Sequence, residues 1–220
     1  SHAQSDFLSR MRHAMRTPLN VMIGLEKLAL DDLNNPDAMR VNLQKIDSSA
    51  HFLLGLINDV LDMSKIESNA LELRPEPYLM SEFTQTLQTL VEPLCKEAKL
   101  KFSLRQIGTP DDCLLLDKVR FNQIFFNLLS NSVKFTPTGG HIRFLMETPD
   151  AQGSLRRFTV QDDGCGMSDE FQQHLFEPFS QERLNHSKAA GTGLGLSIVK
   201  NLVELMHGKL RVDRELGKGT

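Results

Sequence analysis

Residues 191–195 read Gly-Thr-Gly-Leu-Gly, and an apolar segment from Leu196 to Met206 follows them directly. Glycines at the start of such a segment leave backbone amides free at a helix N-terminus, where the helix dipole favours an anion. The alternative is a tight strand-to-helix connection that binds nothing. Alone, this stretch is weak evidence, and its interpretation depends on two motifs upstream.

The first upstream motif is Asp162-Asp163-Gly164-Cys165-Gly166, which places a carboxylate before two glycines. Glycine lets the backbone approach a flat ligand, and a carboxylate there accepts a hydrogen bond from an exocyclic amine such as that of adenine. An ordinary Asp-Gly turn explains the same residues without a ligand.

The second upstream motif, Asn127-Leu-Leu-Ser-Asn131, puts two amides one turn apart on a predicted helix. A side-chain carbonyl on that face can reach a magnesium ion whose other ligands are phosphate oxygens and water. Lys134 lies close to the same face, either as a cation near the phosphates or as a solvated surface lysine. The order of the three motifs predicts a pocket for ATP and Mg²⁺.

Composition limits the other functional classes. A chain of 220 residues can hold two modest domains. Its net charge of −3 argues against nucleic acid and anionic lipid as partners. No apolar run reaches the roughly 18 residues of a membrane span, and the three cysteines fit neither a disulfide framework nor a zinc site. We expect a soluble chain in the reducing cytoplasm, free or as the cytoplasmic part of a membrane-bound protein.

The first seventy residues predict a helical hairpin. One amphipathic helix runs from about Asp6 to Leu30, the turn at Asn34-Asn35-Pro36-Asp37 breaks it with Asp37 as N-cap, and a second helix continues to about Ser68. Two helices cannot bury both apolar stripes, whereas two hairpins form a four-helix bundle, so we expect a homodimer through residues 6–68. The stripes are Leu8, Met11, Met15, Leu19 and Met22 in the first helix, and Ile46, Ala50, Leu53, Ile57 and Leu61 in the second.

The character of the chain changes after Pro75 and Pro77. We therefore divide the chain into an all-α hairpin at 1–70 and an α/β two-layer sandwich at 71–220, in which helices cover a mixed sheet. The polar stretch from Gln181 to Ala190 is expected to be a loop beside the glycine-rich turn. Helices are predicted over 79–98, 119–134 and from 194, with strands over 100–106, 114–116, 141–147 and 157–161.

These motifs resemble the catalytic, ATP-binding domain of the sensor histidine kinases, which share their fold with gyrase-type ATPases. The segment Asn127-Leu-Leu-Ser-Asn-Ser-Val-Lys-Phe-Thr136 is similar to the family's N box, and Asp162-Asp-Gly-Cys-Gly-Met167 to its first glycine box. Phe176-Glu-Pro-Phe179 resembles the F box, and Gly191-Thr-Gly-Leu-Gly-Leu196 the second glycine box.

The resemblance implies roles for single residues. Asn131 would be the magnesium ligand and Asp162 the adenine reader, while Phe135 would pack near the base or belong to the ordinary core. The family continues into one more strand after Thr220. The nucleotide-binding residues implied in this way are Asn127, Asn131, Lys134, Phe135, Asp162, Gly164, Gly166, Gly191, Thr192, Gly193, Leu194 and Gly195.

The first helix carries the other half of the resemblance. Residues 7–20, with His13 followed by Arg16-Thr17-Pro18, resemble the phosphoacceptor box of histidine kinases. At about 100° per residue His13 lies about 200° from Met11 and from Met15, so it faces away from the bundle core. Pro18 inside a helical pattern marks a bend. By resemblance, Thr17 would orient a water that dephosphorylates the partner; the alternative is a hydroxyl bonded back to its own helix.

The chain departs from the family directly beside His13. The family has Glu or Asp in the next position, where its carboxylate orients the imidazole, and this chain has Ala14. Arg12 replaces the family's usual Ser. Because general-base assistance is worth about 10²–10⁴ in rate, we expect a slow autokinase.

The leading hypothesis is ATP-dependent autophosphorylation of His13 followed by phosphotransfer to an aspartate on a response-regulator receiver domain. A second hypothesis is a non-catalytic nucleotide-binding regulator, or a phosphatase-biased module, that acts on another kinase or regulator. A third is a gyrase-like ATPase or chaperone module, against which the hairpin with His13 argues.

Overall fold

The computed structural model describes residues 2–108, 112–149, 155–181, 191–214 and 217–220. It divides the chain into two compact units, Ser1–Leu71 and Glu72–Thr220, which are described separately below. Most of the predicted loop 181–190 lies outside the described residues.

The first unit is the predicted helical hairpin. Helix α1 spans His2–Asp31 with Pro18 inside it, and helix α2 spans Pro36–Glu67. Asn35 is the N-cap of α2, because its side chain accepts a hydrogen bond from the Ala38 amide at 3.2 Å. Asp37 was therefore the wrong cap: Pro36 has no N–H to satisfy and suits the first helical position, which moves the cap one residue earlier. Among the described residues, none of the helices combines the length and the apolar character that a membrane span requires.

Each helix of the hairpin is only partly covered by the other. Leu56, Val60 and Met63 of α2 are buried in the interface, as is Ala29 of α1. Several members of the predicted apolar stripes stay exposed within a single chain. They are Leu8 and Leu19 in α1, and Ile57 and Leu61 in α2.

The second unit contains a mixed sheet and a small separate sheet. Its elements are β1 Glu76–Leu79, α3 Met80–Glu97, β2 Lys101–Ile107, β3 Cys113–Leu116, α4 Lys118–Phe135, β4 His141–Glu147, β5 Arg157–Asp162, α5 Asp169–Gln173 and α6 Gly195–Leu205. The mixed sheet has the order β2-β4-β5, with β2 parallel and β5 antiparallel to β4. Strands β1 and β3 form the small sheet as an antiparallel pair.

This arrangement confirms the predicted α/β sandwich with a mixed sheet. The sequence prediction missed β1, which contains Pro77, and α5, which is one short helical stretch. Proline lacks the ladder donor and is confined to strand edges, so β1 does not have the sequence pattern of a strand. Five residues are too few for a helical period to show.

A cluster of aromatic rings forms the core of the second unit. Phe83 of α3 lies 4.9 Å from Phe121 and 5.2 Å from Phe125 of α4, measured between ring centroids. Phe144 of β4 and Phe158 of β5 pack against the same rings. Because α4 turns these phenylalanines toward the sheet, its amides and Lys134 occupy another face of the helix.

Candidate functional site

Asn127 of α4 faces the start of α6. A Cβ added to Gly195 would lie 3.8 Å from Cγ of Asn127, so this side chain approaches the first turn of α6 closely. The Nδ2 atom of Asn127 is buried and has no hydrogen-bond partner among the described residues. Asn131, one turn further on, is half-buried, and its side chain makes no hydrogen bond within the described part of the chain. An unpaired buried amide of this kind suits a polar ligand.

Lys134 points toward the glycine-rich stretch before α6. A Cβ added to Gly191 would lie 2.6 Å from Nζ of Lys134. The same Nζ is 4.8 Å from the centroid of the Phe135 ring. Burial lowers the pKa of Lys134, because removing an ammonium group from water disfavours its charge. The side chain is half-buried, unlike the solvated surface lysine of the alternative interpretation. A nearby anion would offset the cost of burying this charge.

Asp162 stands at the end of β5 with both carboxylate oxygens hydrogen-bonded. Oδ1 accepts from the Gly164 amide at 2.9 Å, and Oδ2 accepts from the Ser132 hydroxyl at 2.8 Å. A Cβ on Gly164 would lie 2.6 Å from Oδ1 and 3.1 Å from the Phe135 carbonyl oxygen, so only glycine fits there. The Asp-Gly turn of the alternative interpretation is therefore present, and Ser132 adds a second bond that the turn does not need.

Sequence reasoning missed Ser132. The residue lies on the buried face of α4, three positions after Leu129 and seven after Phe125, and only 5% of it is exposed. A polar side chain at a position of core spacing needs a hydrogen-bond partner. That requirement is the signal that could have singled it out.

The glycine-rich stretch 191–195 is held against the segment that resembles the F box. Phe179 donates its amide to the Gly193 carbonyl at 2.9 Å. The Leu194 amide donates to the Thr192 hydroxyl at 3.2 Å, and the Leu194 side chain is buried. Helix α6 then begins without a side-chain cap. The stretch is thus a tight connection. The cap residue Leu194 has no side chain that could accept hydrogen bonds from the first-turn amides of α6.

The loop after Asp162 is anchored on two sides. Gly166 is buried with φ +67°, and the Cys165 amide donates to the Phe135 carbonyl at 3.4 Å. On the other side, the Gly217 amide donates to the Cys165 carbonyl and the Asp162 amide donates to the Thr220 carbonyl. The predicted nucleotide-binding residues are therefore linked by contacts among α4, the loop after β5 and the start of α6. Within the described ranges, no three His, Cys, Asp or Glu side chains cluster as a metal site.

His13 and Thr17 belong to the first unit. His13 is exposed on α1, as the helical angle predicts, and Ala14 beside it is half-buried. The Thr17 hydroxyl donates to the His13 carbonyl at 3.2 Å, which is the alternative in which it bonds to its own helix. The role of Thr17 in orienting water stays a prediction.

Comparison with known proteins gives a family match for each unit. Residues 3–69 match the model of the His Kinase A (phospho-acceptor) domain. Residues 116–220 match the model of the histidine kinase-, DNA gyrase B- and HSP90-like ATPase.

Single relatives are similar to the chain over both matched regions at once. The autoinducer 2 sensor kinase/phosphatase LuxQ of Vibrio vulnificus is 38% identical over 99% of this chain, which spans 26% of LuxQ. The full-length structure of ShkA in complex with AMPPNP is 29% identical, with a TM-score of 0.70 over 98% of this chain and 44% of ShkA. The structure of histidine kinase ThkA in complex with the response regulator TrrA is 21% identical, with a TM-score of 0.67 over 95% of this chain and 58% of ThkA, and shows the same fold. The chain thus spans about a quarter of the length of its LuxQ relative.

Proposed function

The chain belongs to the sensor histidine kinases of two-component systems, and from this membership we propose that it transfers a phosphoryl group from ATP to His13. The group then passes to an aspartate on a receiver domain. The observation that carries the proposal is the exposed His13 on a helical hairpin that shares one chain with an ATPase unit.

The ATPase family match of the second unit implies ATP binding. We assign the parts of the nucleotide to residues by their chemistry. The Asp162 carboxylate, which is held in a fixed orientation, accepts a hydrogen bond from the exocyclic amine of adenine. Lys134 and the first-turn amides of α6 face the phosphates, since both favour negative charge.

Two observations support the proposal that a nucleotide binds at this site. The buried Nδ2 of Asn127 has no partner among the residues described, and Gly191 leaves open the space next to the Lys134 ammonium group. Asn131 would hold Mg²⁺ through its amide oxygen, together with phosphate oxygens and water. A magnesium ion held there would neutralise charge on those phosphate oxygens.

The chemical step takes place at the imidazole of His13. One ring nitrogen attacks the γ-phosphorus, the bond from that phosphorus to the β–γ bridging oxygen breaks, and ADP leaves. The other ring nitrogen must hold or release a proton in the correct tautomer. Ala14 offers no carboxylate for that purpose, so the step is slowed by about 10²–10⁴ relative to a kinase with Glu there.

The partners follow from the exposed surfaces of the first unit. A row of apolar side chains, Leu54, Ile57 and Leu61, lies at helical spacing on α2 and is exposed in the single chain. A second copy of the hairpin would cover this row in a four-helix bundle. ThkA was crystallised in complex with a response regulator, and we infer the same class of partner for this chain.

A second function is favoured by Ala14 itself. Without a carboxylate beside His13, the chain could bind nucleotide and regulate another kinase, or favour dephosphorylation of a partner through Thr17, without phosphorylating itself at a useful rate. The two functions differ in one observable, the presence of phosphohistidine.

Incubation of the full chain with γ-³²P-ATP tests the proposal. We expect slow incorporation of label that is acid-labile and base-stable, absent from His13→Gln and retained in His51→Gln. His51 is a matched control, because it is also an exposed histidine of the hairpin. ATP binding without label at His13 would favour the regulator, and ATP hydrolysis unaffected by His13→Gln would favour a gyrase-like ATPase.

A further inference from the structure

We propose that Ser132 is a positioning residue that fixes the Asp162 carboxylate for recognition of a 6-aminopurine nucleotide. The inference rests on the proposed function, since it assigns a further determinant to the same nucleotide site. Its ligand class is narrower than nucleotides in general, because the recognised group is the amine on carbon 6 of the purine.

The hydrogen bond of Ser132 is unusual for a helical serine in this chain. Ser48, Ser130 and Ser197 each donate to a carbonyl three or four residues earlier, within their own helix or at its N-cap. Ser132 instead donates from α4 to Oδ2 of Asp162, at the end of β5. Ser197 is as deeply buried as Ser132 and still bonds locally, to the N-cap carbonyl of Leu194, so burial alone does not force the longer-range bond.

The two donors to Asp162 act on different oxygens. The Gly164 amide holds Oδ1, and its position is fixed by the backbone of the loop. That bond alone leaves the carboxylate free to swing about the Cβ–Cγ axis, since χ2 of Asp is a soft torsion. The Ser132 hydroxyl on Oδ2 removes this freedom.

A carboxylate with a fixed plane presents its remaining lone pairs in fixed directions. A planar amine on a purine donates well only along such a direction, because hydrogen bonds weaken steeply when misaligned. Loss of the Ser132 hydroxyl would therefore weaken recognition of the amine specifically. Contacts with the phosphates, which we assign to Lys134 and the first turn of α6, would keep their strength.

The test compares two nucleotides that differ in the 6-amino group. Dissociation constants of ATP and of purine riboside triphosphate, which lacks this amine, are measured by calorimetry for the full chain. In Ser132→Ala we expect the preference for ATP to fall roughly tenfold, the size of one charge-assisted hydrogen bond, with purine riboside triphosphate binding unchanged. Ser130→Ala is the matched control on the same helix and should keep the original preference.

The outcomes distinguish the role of Ser132 from nucleotide binding itself. Equal weakening of both nucleotides in Ser132→Ala would indicate a purely structural role and overturn the inference, as would an unchanged preference. Binding of purine riboside triphosphate also reports whether the variant has folded. If the unaltered chain binds neither nucleotide, the proposed function fails, whereas a chain that binds ATP with a Ser132-independent preference refutes only the role of Ser132.

Discussion

Phe179 and Gly193 are joined by a backbone hydrogen bond of 2.9 Å, and both residues have positive φ, +63° and +72°. A Cβ on Gly193 would lie 2.8 Å from Cα of Phe179, so the two backbones approach more closely than any side chain allows. This contact joins the segment that resembles the F box to the one that resembles the second glycine box.

Substitution of Gly193 should strain this contact. Gly193→Ala forces an L side chain into a left-handed conformation, which costs about 1–2 kcal/mol, and adds an overlap with Phe179. We expect a larger loss of unfolding free energy than that, measured by urea denaturation, together with weaker ATP binding.

Gly139→Ala is the control for the conformational part. Gly139 also has positive φ, +89°, but a Cβ there meets nothing within 4 Å. Its substitution should therefore cost only the conformational part, about 1–2 kcal/mol. Equal losses in the two variants would show that the close approach to Phe179 is unimportant.

The lowered pKa of Lys134 should make the stability of the fold depend on pH. Burial lowers its pKa in the folded chain, so between that lowered value and the ordinary lysine value the unfolded chain binds more protons. Stability from this group therefore rises as pH increases through that window and is reduced below it. Lys134→Met should raise the unfolding free energy at neutral pH without nucleotide, and this gain should shrink as pH approaches 10, near the ordinary lysine value.

The same substitution should weaken ATP binding by about 1.5–3 kcal/mol, the size of a hydrogen bond to a charged group. Calorimetry with ATP and denaturation without it measure the two effects. Lys101→Met, at an exposed position of β2, should change neither. A loss of stability in Lys134→Met at neutral pH would contradict the assignment of Lys134 as a partly buried charge that binds an anionic ligand.

The exposed apolar row on α2 predicts a dimer, and a single substitution in that row should disrupt it. Ile57→Glu places a charge in the apolar row of α2, where it would be unpaired inside a four-helix bundle. We expect monomers in light scattering, with the helical circular dichroism of each chain retained. Asn58→Glu, exposed on a neighbouring face of α2, should remain dimeric. A chain that is monomeric without substitution would refute the dimer.

The longer elements followed from the sequence because their periodicity is strong. The predicted strand at 141–147 has the same bounds as β4, and the predicted helix at 119–134 lies one residue inside α4 at each end. Asp37 was wrong as the cap of α2, since the amide of Asn35 competes for that role and Pro36 decides the outcome. The periodicity of apolar residues does not show which of several neighbouring residues caps a helix.

The site was predicted less completely than the fold. Motif order singled out Asp162 and Lys134, yet Ser132 went unnoticed, because its bond to Asp162 joins residues thirty positions apart. Long-range pairings of side chains depend on how α4 packs against β5, which the sequence pattern does not specify. The chemical roles of His13, Thr17 and the nucleotide-binding residues remain predictions.

The most direct test of the account measures the rate at which phosphohistidine forms at His13 in Ala14→Glu. A carboxylate beside the imidazole should fix its tautomer and raise that rate by about 10²–10⁴, with little change in ATP affinity. Ser48→Glu, which adds the same charge to an exposed position of α2, should leave the rate unchanged. Mass spectrometry should place the phosphoryl group on His13, and His13→Gln combined with Ala14→Glu should abolish it. If Ala14→Glu binds ATP and still forms no phosphohistidine, the autokinase account is contradicted and the regulator takes its place.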